Sequence, residues 1–124
     1  MICKTLVAAA CLFAGVAVLA LAQTQADLND QARAEFKKAD AMLNKVYGEL
    51  RARLDDKEKA RLKEVQLLWL KYRDANADFA ASQFEGGSIA PLIYSSAMTS
   101  TTEDRVRELK GLFMEGYPEE SATP

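Results

Sequence analysis

The sequence has no histidine and only two cysteines, Cys3 and Cys11, so most side chains that carry covalent or metal chemistry are missing. Without histidine there is no Ser-His-Asp triad, and without cysteine beyond residue 11 the rest of the chain has no thiol nucleophile and no ordinary zinc site. Neither charge dominates: 16 Lys and Arg stand against 18 Asp and Glu, a formal net charge of -2. That balance argues against a nucleic-acid binder, which carries a basic patch. Long apolar runs are absent too, except one. From Thr5 to Ala22 there is no charge, and nearly every residue is apolar or small.

That run reads as a secretory signal peptide over residues 1–22. Lys4 supplies the positive n-region, Thr5 to Leu19 the apolar h-region, and Ala20-Leu21-Ala22 an A-x-A cleavage signal ahead of Gln23. The competing reading is a retained membrane anchor, because about 18 apolar residues just span a bilayer. The small-residue ending and the polar continuation favour cleavage, so membrane contact is expected only through an uncleaved leader. Ala8-Ala9-Ala10 before Cys11 is a poor lipidation signal. Removing 22 residues from 124 leaves 102, one small domain with charge 15 minus 18, or -3. Both cysteines leave with the leader, so an exported domain has to hold together by packing.

Apolar residues then recur at Leu28, Ala32, Phe36, Ala39, Leu43, Val46, Leu50 and Leu54, the three-and-four spacing of one helix face. At Asp55 and Glu58 a capping box starts a second helix. Its expected apolar face is Leu62, Val65, Trp69, Tyr72 and Phe79, widened by Leu68 and Leu70, with Trp69 and Tyr72 burying the largest areas. Gly86-Gly87 ends it near Gln83. Ser88 is the expected cap of a third helix with Pro91 in its first turns. Thr99 to Thr102 leaves two options: one helix from Ile89 to about Met114, or a break with Thr101 or Thr102 capping a fourth. Neither Gly nor Pro occurs between Leu92 and Lys110, which favours continuity. The fold expected is all-α, a three-helix antiparallel up-down-up bundle over residues 23–116, with a disordered tail over 117–124.

The acidic clusters lack the spaced ligands of a calcium loop, and Gly86-Gly87-Ser88 lacks the lysine of a phosphate loop. No cofactor or metal is implied, and an enzyme is not expected. Two carboxylates alone suffice for a glycosidase, but that needs a cleft a small bundle hardly offers. Gln66, Trp69 and Arg73 share one side of the second helix. The expectation is that Trp69 anchors the core while Arg73 covers it and pairs with Glu103 or Glu108.

These residues carry a resemblance. Leu43-Asn44-Lys45-Val46-Tyr47, Gln66, Trp69-Leu70-Lys71-Tyr72-Arg73-Asp74-Ala75, Gly86-Gly87-Ser88, then Thr102, Arg105 and Leu109 resemble, in order and spacing, the family of small exported proteins named for the mycobacterial lipoprotein LprI, a lysozyme inhibitor. The resemblance spans about Asp40 to Leu112. It implies a periplasmic or secreted, non-catalytic protein whose partner is a protein, a lysozyme in the first instance. Gln66, Trp69, Tyr72, Arg73, Asp74, Thr102 and Arg105 then read as structural motif residues, and the loop Glu85, Gly86, Gly87, Ser88 as the element that enters an enzyme cleft. Relatives carry a cysteine pair where this chain has Ala77 and Ala97, which implies that these two alanines face each other. The alternative function is a structural or assembly module of the envelope, for which exposed Tyr47, Phe84 or Tyr94 would be the contact surface.

Overall fold

The computed structural model describes the backbone of residues 2–114 and the side chains of residues 24–111. Three helices make up the fold: α1 over Ile2–Arg51, α2 over Asp56–Ser82 and α3 over Ala90–Glu108, the last passing into a π-helical segment over Leu109–Met114. Among the described residues there is no strand, and no helix long and apolar enough to cross a membrane. The leader's side chains and the expected tail from Tyr117 lie outside the described residues.

The turn between α1 and α2 is short because each orphaned amide finds a nearby carbonyl. Ala52 donates to Gly48, Arg53 to Leu50 and Leu54 to Arg51 at 3.0 to 3.2 Å. Asp55 then starts α2: its carboxylate accepts from the Glu58 amide at 2.8 Å, and Glu58 accepts from the Asp55 amide at 3.0 Å. This is the expected capping box, and it satisfies two of the donors a helix start leaves open.

α3 runs unbroken through Thr99 to Thr102, so no fourth helix begins there. Thr99 bonds back to the Ser95 carbonyl at 2.9 Å instead of capping anything. Ser88 does not cap α3 either. The N-cap is Ile89, already in a right-handed helical conformation and without a side-chain cap. The reason lies in the turn, where Gly87 donates to Phe84 at 3.0 Å and Ala90 to Gly87 at 3.2 Å, while Pro91 has no amide to satisfy.

α3 packs closely against both other helices, and α1 and α2 approach each other much less. The tightest apolar cluster is Leu43, Val46 and Leu50 of α1 with Val106 and Leu109, flanked by Leu54, Leu62 and Trp69. It lies at the end of the bundle that holds the α1–α2 turn. Of the expected α1 face, only Leu28 is exposed.

α2 departs from expectation. Tyr72 is 60% exposed, Phe79 70% and Leu68 63%, and Val65 is exposed as well. The residues of α2 that are buried are Gln66, Arg73 and Ala77. The helix is thus turned so that a polar seam faces inward and an apolar stripe faces out. Each inward polar group has a partner, since no buried side-chain nitrogen or oxygen among the described residues lacks one.

Candidate functional site

The inward seam is a stack that crosses all three helices. The Arg73 guanidinium lies 5.3 Å from the ring centroid of Phe36 on α1 and 5.3 Å from that of Trp69 on its own helix. The Arg105 guanidinium of α3 is 5.8 Å from the same Trp69 ring. Aromatic faces attract cations at this range, and a desolvated pair gains ~2 kcal/mol.

Hydrogen bonds fix the two arginines in place. Arg73 donates through Nη1 to Asp40 Oδ1 at 3.1 Å and Thr102 Oγ1 at 3.5 Å, and through Nε to Asp74 Oδ1 at 3.1 Å. Arg105 donates to Gln66 Oε1 at 3.2 Å and to Glu108 Oε2 at 2.7 Å. Both side chains are almost fully buried, at 8% and 5% exposure for the residues, whereas Asp40, Asp74 and Glu108 keep solvent contact. Each cation therefore sits inside while its counter-charge stays hydrated, which lowers the desolvation cost of the pair.

The structure brings Gln66, Trp69, Arg73, Asp74, Thr102 and Arg105 into this one network and leaves Tyr72 outside it. It also corrects the pairing of Arg73. Its carboxylate partners are Asp40 and Asp74, while Glu108 belongs to Arg105 and Glu103 is exposed without an ion pair to Arg73. Asp40 and Phe36 were missed as members of the site. Their spacing with Leu43, at i, i+4 and i+7, places all three on one side of α1 and is the signal that identifies them.

Near the network, Asn76 donates to Thr101 at 3.4 Å. Burial first, then the Asp74 and Asp78 carboxylates, raises the Tyr94 phenol above its ordinary value of 10.0, while Arg73 acts in the opposite direction.

At the opposite end of the bundle from the apolar cluster, Glu85, Gly86, Gly87 and Ser88 form an exposed loop. Gly86 has φ +80, a left-handed conformation that a side chain strains, with open space where a Cβ would stand. Asn29 of α1 donates to the Ser88 carbonyl at 3.1 Å and ties the loop down. Phe84 and Ile89 flank it with exposed apolar surface, while Tyr47 and Tyr94 are half-buried. The loop and the arginine stack do not share a surface: one is an exposed turn, the other an interior seam.

Between α1 and α2, on the side that α3 leaves open, runs a groove of about 650 Å³ with Leu43 and Gln66 in its lining and Arg51, Lys59 and Lys63 around it. Among the described residues no group of three or more acidic or cysteine side chains is arranged to hold a metal ion.

A sequence profile of the family described as "Lysozyme inhibitor LprI" matches residues 19–109. An uncharacterized protein of Rhizobium meliloti (strain 1021) is 35% identical over 104 residues, covering 73% of this chain and 75% of that protein. No solved structure matches the chain.

Proposed function

This chain belongs to the lysozyme inhibitor LprI family, and from that membership we propose that it is an exported, non-catalytic binding protein that blocks a lysozyme and so protects the cell wall. The observation that carries this reading is the family match, which runs through both the arginine stack and the Glu85–Ser88 loop. Inhibition by binding needs no nucleophile and no metal. It needs a rigid body presenting a narrow projection to a cleft, because a projection held in shape loses little freedom on binding.

In this reading the arginine stack is the rigid body. It locks α2 to α3 in the body of the bundle, and Asn29 braces the loop from α1. Glu85 is the charged tip, and Phe84 and Ile89 supply the apolar rim. A net charge of -3 on residues 23–124 adds weak steering toward a cationic enzyme at low salt.

The test is a cell-wall lysis assay with purified residues 23–124. Reduced lysozyme turnover at micromolar protein is expected, and undiminished turnover overturns the reading. A Glu85→Lys variant is expected to inhibit at least tenfold less well, since setting like charges opposite each other in a contact costs more than the about 1.4 kcal/mol of a tenfold change. Inhibition that survives this substitution removes the loop from the mechanism but leaves the inhibitor in place.

A further inference from the structure

The outward face of α2 is the largest feature that the inhibitor reading leaves unused. Val65, Leu68, Tyr72, Ala75 and Phe79 are all exposed and follow the spacing 3, 4, 3, 4, the repeat of a helix seam that packs against another helix. The stripe faces away from Gln66, Arg73 and Ala77, and none of the described residues covers it.

Beside it runs a second row with a period of seven. Lys57, Glu64, Lys71 and Asp78 stand one heptad apart and are all exposed. Their signs alternate as plus, minus, plus, minus. Among the described residues none of them makes an ion pair within the chain. Reversed end to end, this row reads minus, plus, minus, plus. It is therefore complementary to itself in an antiparallel arrangement, and the flanking charges of a helical seam set partner choice and orientation.

We propose that α2 pairs antiparallel with α2 of a second copy of this chain. Lys57 then faces Asp78 of the second copy and Glu64 faces Lys71 of the second copy, and two-fold symmetry repeats both pairs. The axis falls between Leu67 and Leu68, so Val65 and Leu68 of each copy meet at the centre. Tyr72 lies between Arg61 and Val65 of the second copy. From Lys57 to Phe79 the contact is about 33 Å long at 1.5 Å per residue, long enough for a stable helix pair. The Glu85–Ser88 loops end up at opposite ends of the dimer, both free.

Sedimentation of the protein recovered from cells that express the full chain tests this. A dimer is expected at tens of micromolar, and a monomer through 100 micromolar overturns the proposal. Glu64→Lys alone and Lys71→Glu alone each place like charges in two symmetry-related pairs, and each is expected to weaken dimerisation roughly tenfold or more. An equimolar mixture of these two variants restores every pair to opposite charge and is expected to form a heterodimer. The double variant Glu64→Lys, Lys71→Glu is expected to recover the homodimer. Failure of both rescues, with the variants folded by circular dichroism, overturns the antiparallel arrangement. Leu68→Glu, at a solvent-exposed position in the monomer, is expected to leave the fold intact and give a monomer; a Leu68→Glu dimer as tight as the parent likewise overturns it.

Discussion

Arg73 of α2 bonds to Asp40 of α1 at 3.1 Å while its guanidinium lies over the ring of Trp69, so one buried side chain joins the two helices that otherwise approach each other least. Removing it costs twice, through lost packing between Phe36 and Trp69 and through loss of the tie between α1 and α2. Arg73→Ala is expected to destabilise the protein by about 3 kcal/mol. Arg73→Lys keeps the charge but not the planar stack, and about half that loss is expected. Urea denaturation of the three proteins, compared at equal m-value, measures both.

The capping box makes a smaller and more local prediction. Asp55→Ala leaves the Glu58 amide without its acceptor and is expected to cost about 1 kcal/mol. Asp55→Asn, which also caps well, is expected to recover most of it in the same thermal or urea experiment.

Gly86 sits at φ +80 with open space around it, so any penalty for a side chain there is conformational and not steric. Gly86→Ala is expected to cost about 1 kcal/mol. Gly86→Asn is expected to cost less, because asparagine tolerates the left-handed region. Midpoints of thermal unfolding rank the two.

Tyr94 carries the alkaline prediction. Its folded-state pKa lies above the ordinary 10.0, so the unfolded chain releases the phenolic proton first as pH rises. The stability due to this group is intact below about pH 10 and is lost as pH climbs through the folded value. Tyr94→Phe has no proton to lose there and is expected to show a shallower alkaline decline than the parent between pH 9 and 11, in steps of ~1 unit around the ordinary phenol value.

Contacts between α2 and α3 set an antiparallel register: Arg73 meets Thr102, Asn76 meets Thr101, and Gln66 meets Arg105. Continued toward the loop, these contacts place Ala77 opposite the stretch of α3 around residues 94 to 100, a span that includes Ala97, the partner that the family resemblance implies. An Ala77→Cys, Ala97→Cys variant is expected to form an intrachain disulfide on air oxidation and to gain about 2 to 4 kcal/mol over its reduced form. A free-thiol assay with mass measurement reads the bond directly.

Most of the fold was legible because α1 obeys the simple rule. Phe36, Ala39, Leu43, Val46 and Leu50 are apolar at helical spacing, and burial follows. The Asp55 and Glu58 cap was legible for the same reason, being local chemistry within four residues. α2 misled because its most apolar face, Val65, Leu68, Tyr72 and Phe79, is not its inward face. What turns Gln66 and Arg73 inward is the matching polar side of α3, where Ser95, Thr102 and Arg105 are buried. That match is a property of two helices together, and neither helix's hydrophobic periodicity contains it. Of the candidate site, the motif around Trp69 is recognisable as a cluster, whereas Asp40 carries only the weaker signal of sharing one side of α1 with Phe36 and Leu43, which says nothing of the arginine it meets.

The lone tryptophan has an optical consequence. Trp69 is the single indole of the chain, and it lies against a guanidinium from its own helix and one from α3. Near-ultraviolet dichroism reports fixed side-chain packing, while the far-ultraviolet signal reports helix content. In this protein the indole band therefore follows the docking of α2 onto α3 separately from the formation of the helices themselves. A state that keeps its helices but lets the arginine stack loosen would be silent in one spectrum and plain in the other.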